Sequence, residues 1–560
     1  MVALTTTVDL NVTDEVLLIY CYRYTMGTDP MGCKFQCFHT YLRKEHSKNT
    51  INWLPFVAHP KQPCYHTCMN TLCRLLAEVG INDPFCPSDI IISSLCYNSK
   101  DCKPNSMFFA FEGIHTKGSL YIEEALDNGA VCILSSTLPE HQREGIRYYQ
   151  CNHPRSMFAH LCAAFYDYPA KELKILGVTG TDGKSTTCDY LYQILSSQQI
   201  KTGLLGTVSM DDGIGKRLSP YRQSTPEADQ LHAFLRRCVD NGLTHVVLEC
   251  TSHALSKAYD RLATIEYDLA LVTTVTSEHQ EFHGSISSYV DAKCNLVRSL
   301  KQGGIFVSTL KNPHLSTFLS CLREDCASII LENEFSYAVR VQNHGEIAID
   351  TENELYPTDL LLPCLVSNAL LAILSIVKMT GIERTRLLPI LSSFSPVQGR
   401  MISLKNSLGY RIIIDFAHTA DAYEKLFSFM HETKQKGCII AVFGCAGERD
   451  TSKRAPMGKI ASSYADHIIL TEEDPRQEGN TSIFKDLRSQ MDEKSCMVEE
   501  IEDRREALIR AFSLAQKGDT LLFLGKGHET FIDGKEEKRP WNEEAEIRTI
   551  LEVEEKKPLC

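Results

Sequence analysis

Long apolar runs are scarce in this chain. None approaches the roughly 18 consecutive apolar residues of a membrane span. The most apolar N-terminal run, residues 16–20, is short and follows acidic residues, which makes it a poor secretory signal. These absences predict a cytoplasmic protein without membrane insertion. Net positive charge is also lacking: 58 Lys and Arg stand against 71 Asp and Glu, a balance of −13. That argues against a general binder of nucleic acid or of anionic membranes, although local basic pockets for phosphates remain compatible with it. No internal repeat is visible. A composition of 43% apolar and 23% charged residues excludes a disordered, collagenous or low-complexity chain.

Cysteine, by contrast, is plentiful, at 23 in 560 residues. An odd number in a long chain without a secretory signal reads as reduced thiols serving mostly as small core residues. Residues 1–68 hold more of them than even spreading would place there, and show little periodicity. This segment also carries Cys33, Cys37 and His39 followed by Cys64, His66 and Cys68, a spacing that fits no common zinc template closely. At Met69 the character changes, and Leu72, Leu75, Leu76 and Val79 recur at helical spacing. Residues 1–68 are therefore expected to be a leader: either an addition before a true start at Met69, or an extension packed on the body.

At about 150 residues per domain the length predicts three or four domains. A small α/β unit is expected over 69–152, with strands at 106–111 and 131–134 and a helix at 121–128. Over 153–397, strands at 173–179, 244–249 and 269–273 alternate with helices such as 184–195, the signature of a doubly wound, mostly parallel sheet. Pro396-Val-Gln-Gly399 is turn-rich and marks a boundary. The alternation restarts over 398–560, with strands at 411–416, 438–443, 467–471 and 520–524. The predicted fold class is α/β in three domains: a small N-terminal α/β domain, a central domain like a P-loop ATPase, and a Rossmann-like C-terminal domain.

The strongest local signal is Gly177-Val-Thr-Gly-Thr-Asp-Gly-Lys-Ser-Thr186, which follows an apolar strand and opens a helix. Gly180 and Gly183 let backbone N–H groups approach phosphate oxygens. Lys184 supplies a point charge for the terminal phosphates, and Ser185 is suited to hold magnesium. Thr181, Asp182 and Thr186 complete the ATP loop, in which Val178 replaces the first Gly of the strict pattern. Glu249, in Leu248-Glu-Cys-Thr-Ser-His253, lies at a strand end beside the loop, where magnesium is normally held.

With Thr273-Thr-Val-Thr-Ser-Glu-His-Gln-Glu-Phe-His-Gly284 and Tyr289-Val-Asp-Ala-Lys293, these residues resemble the Mur ligase family. The match includes Glu249, Ser252, His253, His279, His283, Gly284 and Lys293. It departs at Thr274, where the family has Asn, and at Glu278 and Glu281, where it has Asp. The resemblance continues through Pro396-Val-Gln-Gly-Arg-Met401, Asp415-Phe-Ala-His418, Phe443-Gly-Cys-Ala-Gly-Glu-Arg-Asp450, Glu473-Asp-Pro-Arg476 and Gly525-Lys-Gly-His-Glu529. Nearer the N terminus, Phe108-Phe-Ala-Phe-Glu-Gly113 matches a further motif, whereas Asn98-Ser-Lys100 stands where Asp-Ser-Arg is usual and Leu365 replaces a family Asn. Motif order is kept over roughly 69–545, and the combination points to the MurE type within the family.

The resemblance implies an ATP-dependent, monomeric ligase of peptidoglycan biosynthesis. It would add a diamino acid (meso-diaminopimelate, L-lysine or L-ornithine) to UDP-N-acetylmuramoyl-L-alanyl-D-glutamate through an acyl phosphate. Lys184, Glu249, His279 and Lys293 are then catalytic, with Ser185, Glu249, His279 and a carbamylated Lys293 around magnesium. Arg400, Asp415 and His418 join the loop on ATP. Ser99, His115, Ser224, Thr225, Pro226, Ser252 and Arg261 fall to the muramoyl nucleotide, and Arg449, Asp474, Arg476, Gly525 and Glu529 to the incoming amino acid. Asp474 favours a distal ammonium and Arg476 a distal carboxylate, so the acceptor stays open. Two other readings also stay open: a different Mur- or folylpolyglutamate-type ligase, and a non-catalytic nucleotide-binding scaffold.

Overall fold

The computed structural model describes residues 70–557 except 113–116, 222, 277–279, 342–346, 352–353 and 435–436, with backbone alone at 280 and 281, together with the backbone of four strands nearer the N terminus. The chain divides into two compact units, Met1–Asn70 and Thr71–Cys560. In the first, Val2–Thr5, Leu17–Met26, Phe35–Lys44 and Asn52–Trp53 pair in chain order as an antiparallel sheet. The sequence reading expected no such order there. Segments rich in Tyr, Ile, Thr and Phe favour strands even without clean alternation. The side chains of the Cys33–Cys68 constellation lie outside the described residues.

The second unit has the three-domain α/β architecture expected. Helix Leu72–Glu78 starts at Thr71, whose hydroxyl accepts from Arg74 N. Four parallel strands follow, Ser94–Cys96, Ser106–Ala110, Ala130–Ser135 and Arg147–Gln150, and then helix Pro154–Phe165.

The central sheet has eight strands. Its six parallel members run, in spatial order, Thr202–Leu205, His245–Glu249, Lys174–Thr179, Tyr267–Val272, Leu300–Ser308 and Ala327–Ile330. Ser209–Asp211 and Arg217–Leu218 extend one edge antiparallel. Alternation of side chains divides the strands between two cores. Leu176, Val178, Val247, Leu269 and Leu271 pack with helices Lys184–Ser197 and Pro363–Thr380. Ile175, Val246, Leu248, Ala270 and Val272 pack with helices Ala228–Asp240 and Ile286–Arg298 on the other face.

A three-stranded antiparallel sheet, Tyr337–Val341, Ile347–Thr351 and Leu355–Thr358, is a further element absent from the sequence reading. Helix Pro363–Thr380 corrects another expectation. With 18 residues and a mean hydropathy of 1.6, it is long and apolar enough to cross a membrane by length and composition alone. In the fold it packs on helix Lys184–Ser197, burying Val366, Leu370, Ile373 and Ile376, each worth about 1.5–3 kcal/mol of transfer free energy.

The C-terminal sheet orders Ile402–Leu404, Arg411–Asp415, Thr520–Leu524, Ile439–Phe443, His467–Leu470 and Met497–Glu500, parallel except for the first. Every described cysteine is free. Cys188, Cys250 and Cys445, beside the motifs, are buried, in keeping with thiols used as small core residues.

Candidate active site

In both large sheets the motifs sit at the carboxyl ends of parallel strands, where open α/β sheets bind ligands. The phosphate loop leaves strand Lys174–Thr179 and turns into helix Lys184–Ser197 at Gly183, whose φ of +82° is left-handed. A Cβ at Gly180 would lie 1.8 Å from Thr273 Oγ1, so the loop's close approach to the neighbouring strand end requires glycine. Thr273 Oγ1 donates to Asp182 O at 2.8 Å, and Thr181 N donates to Thr274 O at 2.8 Å. Thr274, the departure from the family's Asn, thus contacts the loop through its backbone carbonyl.

Alternation explains the next contact. Val247 points to the core under helix Lys184–Ser197, so Glu249, two residues on, points the same way. Ser185 Oγ donates to Glu249 Oε1 at 3.0 Å, and Thr207 N donates to Oε2 at 2.9 Å. Glu249 is 2% exposed. From the opposite face Lys293, 1% exposed on helix Ile286–Arg298, donates to Gly180 O at 2.6 Å and lies over the Tyr289 ring. Lys184 Nζ donates to Gly180 O at 3.2 Å and Thr181 O at 2.7 Å. Lys184 and Lys293, two of the expected catalytic residues, therefore meet at Gly180 O, while Ser185, next to Lys184, pairs with Glu249. His279 lies outside the described residues. Among those described, no three His, Cys, Asp or Glu side chains cluster as a metal site. The hydroxyl–carboxylate pair of Ser185 and Glu249 is nonetheless a hard-oxygen donor set that suits magnesium.

A cavity of about 690 Å³ beside the loop is lined by Asp182, Gly183, Thr186, Asn368, Arg400, Asp415 and His418, bringing together residues expected on ATP from distant parts of the chain. Asp415 accepts from Met401 N and Ala417 N, both at 2.7 Å, and burial pushes its pKa up despite Arg400 nearby. Arg400 lies 4.4 Å over Phe416, whose ring also touches His418 and His528. Burial, with the charges of Arg400 and Lys526 nearby, pushes His528 down to about 3, keeping it neutral.

The residues expected on the muramoyl nucleotide are more dispersed. Thr225 Oγ1 donates to Glu249 O at 2.7 Å and accepts from Thr251 N at 3.0 Å, tying its loop to the strand end. Pro226 is buried beside it, and Ser224 is half-buried. Ser252 Oγ pairs with His283 Nε2 at 3.1 Å. Arg261 donates to Thr225 O at 3.1 Å and ion-pairs with Glu227 at 2.7 Å, so its charge is already compensated. Ser99 spends its hydroxyl on Glu124 within its own domain. His115 lies outside the described residues.

Two of the residues expected on the incoming amino acid, Asp474 and Glu529, hold a lysine that the sequence reading passed over. Lys526 is fully buried and donates to Asp474 Oδ1 at 2.8 Å and Glu529 Oε2 at 2.6 Å. Asp474 was expected to accept from a substrate ammonium, and in the structure the ammonium that both carboxylates hold is the protein's own. Its only sequence signal was its place inside Gly525-Lys-Gly-His-Glu529. Burial raises the pKa of Glu473 and of Glu529. Arg476, at a left-handed φ of +51°, donates to Gly447 O at 3.0 Å and faces Asp533 at 3.5 Å. Gly525 follows strand Thr520–Leu524, and Arg449 is exposed nearer strand Ile439–Phe443.

Three family models match in series: Mur ligase family, catalytic domain, over 91–166; Mur ligase middle domain over 178–376; and Mur ligase, glutamate ligase domain, over 399–527. A UDP-N-acetylmuramyl-tripeptide synthetase of Borreliella afzelii (strain PKo) is 35% identical over 484 residues, covering 84% of this chain and 95% of that protein. The chain belongs to the Mur ligase family. A second relative, a UDP-N-acetylmuramoyl-L-alanyl-D-glutamate--2,6-diaminopimelate ligase of Caldanaerobacter subterraneus subsp. tengcongensis, is 31% identical over 476 residues, covering 84% of this chain and 96% of that one. Among solved structures, a 2,6-diaminopimelate ligase of the same description superposes with a TM-score of 0.57 at 24% identity, covering 85% of this chain and 98% of the other. The MurF ligase of Thermotoga maritima in complex with ADP gives 0.57 at 17% identity, covering 84% and 99%. These two establish the shared fold.

Proposed function

We propose that this Mur ligase is an ATP-dependent ligase that joins a diamino acid to UDP-N-acetylmuramoyl-L-alanyl-D-glutamate in the cytoplasm, acting as a monomer in peptidoglycan synthesis. The observation that carries the reading is the meeting of Lys184 and Lys293 at Gly180 O with the Ser185–Glu249 pair beside Lys184, next to a cavity completed by Arg400 and Asp415 from the C-terminal domain. Residues 69–152 would bind the uridine end, 153–397 ATP, and 398–560 the amino acid, with 1–68 a leader.

In this reading a carboxylate oxygen of the muramoyl dipeptide attacks the γ-phosphorus of ATP, and ADP leaves. The amine of the diamino acid then attacks the acyl carbon and loses a proton, and inorganic phosphate leaves as the amide forms. Lys184 neutralises charge on the phosphoryl oxygens. Ser185 and Glu249 would hold magnesium, which when bound offsets the charge of the phosphates. Closure of the C-terminal domain through Arg400 would exclude water from the acyl phosphate. Carbamylation would turn the buried Lys293 from a cation into an anionic metal ligand. Lys293→Ala should lose activity and regain part of it with a short carboxylic acid; no recovery across several acids would remove the carbamate from the mechanism.

The acceptor end favours a diamino acid. Lys526 already neutralises part of the Asp474 and Glu529 charge, leaving Glu473 and Arg476 to meet the ammonium and carboxylate of the incoming molecule. ADP release with the muramoyl dipeptide and a panel of diaminopimelate, lysine and ornithine tests the assignment. Turnover with a folate and none with the muramoyl nucleotide would overturn it.

A further inference from the structure

We infer that Arg155 is a binding residue for the diphosphate of the nucleotide-linked substrate, an inference that rests on the function proposed above. Arg155 stands in the first turn of helix Pro154–Phe165. Its guanidinium lies between two aromatic rings, 4.5 Å from the centre of Phe111 and 5.1 Å from that of Tyr259. Tyr97 stacks on Phe111 at 5.7 Å and 14°. The Tyr259 ring also lies 5.4 Å from the Arg261 guanidinium. Tyr97, Phe111, Arg155, Tyr259 and Arg261 therefore form one continuous stack from the N-terminal sheet to the loops at the carboxyl end of strand His245–Glu249.

The two arginines differ in how they are satisfied. Arg261 is paired with Glu227 and hydrogen-bonded to Thr225 O. Arg155 has no hydrogen bond and no ion pair among the described residues, although it is half-buried and burial lowers its pKa. Ring faces attract a cation, yet they do not replace the acceptors that its five N–H donors require. A desolvated, aromatic-braced guanidinium with uncommitted donors is preorganised for an anion that it can grip bidentately. The stack bridges the domain assigned to the uridine end and the Thr225, Ser252 and Arg261 region assigned to the sugar. The group that joins those two ends of the substrate is the diphosphate.

Binding of UDP and of uridine, measured by calorimetry on the full chain, tests this against Arg155→Met, which keeps the apolar stem and removes the charge. Loss of a charge-assisted contact predicts about a 10- to 100-fold weaker affinity for UDP. Uridine affinity should be unchanged. The KM for the muramoyl nucleotide should rise while those for ATP and the diamino acid stay put. Arg155→Lys, which keeps the charge but not the fork, should fall between, and it serves as the test if the Met variant does not fold. UDP affinity within twofold of the parent, or an equal loss for uridine and UDP, would overturn the assignment. A parent enzyme that binds neither UDP nor the muramoyl nucleotide would overturn the proposed function as well. A parent that turns the nucleotide over, with a variant that matches it, would overturn the role of Arg155 alone.

Discussion

Lys526→Met removes the one ammonium held between Asp474 and Glu529, at 2.8 and 2.6 Å, with side-chain exposures of 0% for Lys526, 8% for Asp474 and 28% for Glu529. Breaking a buried ion pair by deleting one partner costs about 3–5 kcal/mol, because the remaining charge stays desolvated. Partial exposure of Glu529 puts the expectation at the lower end, about 3 kcal/mol. That cost is equivalent to raising a carboxyl pKa by about two units. In the variant the folded-state pKa then lies above the unfolded value of about 4. The deficit is absent below pH 4, grows as the pH rises through the unfolded pKa, and is complete near pH 6. Urea denaturation followed by the fluorescence of Trp541, isolated by Trp53→Phe, should show a small deficit at pH 4.5 and the full one at pH 8. Lys526→Met with Asp474→Asn should recover part of the loss. A deficit below about 1 kcal/mol at pH 8, or one equal at both pH values, would refute the view that Lys526 compensates buried carboxylates.

Three further outcomes are expected. Gly180→Ala puts a methyl 1.8 Å from Thr273 Oγ1. It should weaken ATP binding by tenfold or more, as overpacking of about 1–3 kcal/mol dictates, and unchanged calorimetric affinity would contradict the loop geometry. Glu249→Gln should raise the magnesium needed for half-maximal turnover by about tenfold or more, measured by titration at fixed ATP. Glu478 is held down to about 2 by the fully buried Arg454, which grips it through two nitrogens. Its folded pKa lies below the unfolded 4.5, so this stability is present above pH 4.5 and is lost as the pH falls toward 2. Glu478→Gln should remove about 1–2 kcal/mol at pH 7 once solvent screening of this partly exposed carboxylate is allowed for, and flatten the acid limb of the stability profile.

The local code of the core was legible in the chain. Three of the eight strands of the nucleotide-binding sheet, at 173–179, 244–249 and 269–273, stood out as apolar runs ending in or followed by Gly, Thr or an acid, because strands buried on both faces must be continuously apolar. The phosphate loop was legible because positive φ at Gly183 and close approach at Gly180 admit little but glycine. The N-terminal strands and the sheet over residues 337–358 were not, since neither long apolar runs nor strict alternation marked them. The apolar length of Pro363–Thr380 was also missed. Its burial against helix Lys184–Ser197 explains why that hydrophobicity belongs to a core.

Which residues are candidates for the chemistry was legible in the sequence itself: Lys184, Ser185, Glu249, Lys293 and Arg400 were all named by motif. Which charges are already spent was decided by tertiary structure alone. Arg261 carried a motif and proved to be paired, whereas Arg155 carried none and proved to be braced by rings, with no hydrogen bond or ion pair among the described residues. Lys526 lay inside a recognised motif without an assigned role, and it became the centre of the acceptor carboxylates only when the ends of strands His467–Leu470 and Thr520–Leu524 were brought together. The physical reason is range. Backbone turns and strand periodicity are set by neighbours in the chain, but the compensation of a charge depends on groups such as Asp474 and Lys526, which lie far apart in sequence and meet only in the fold.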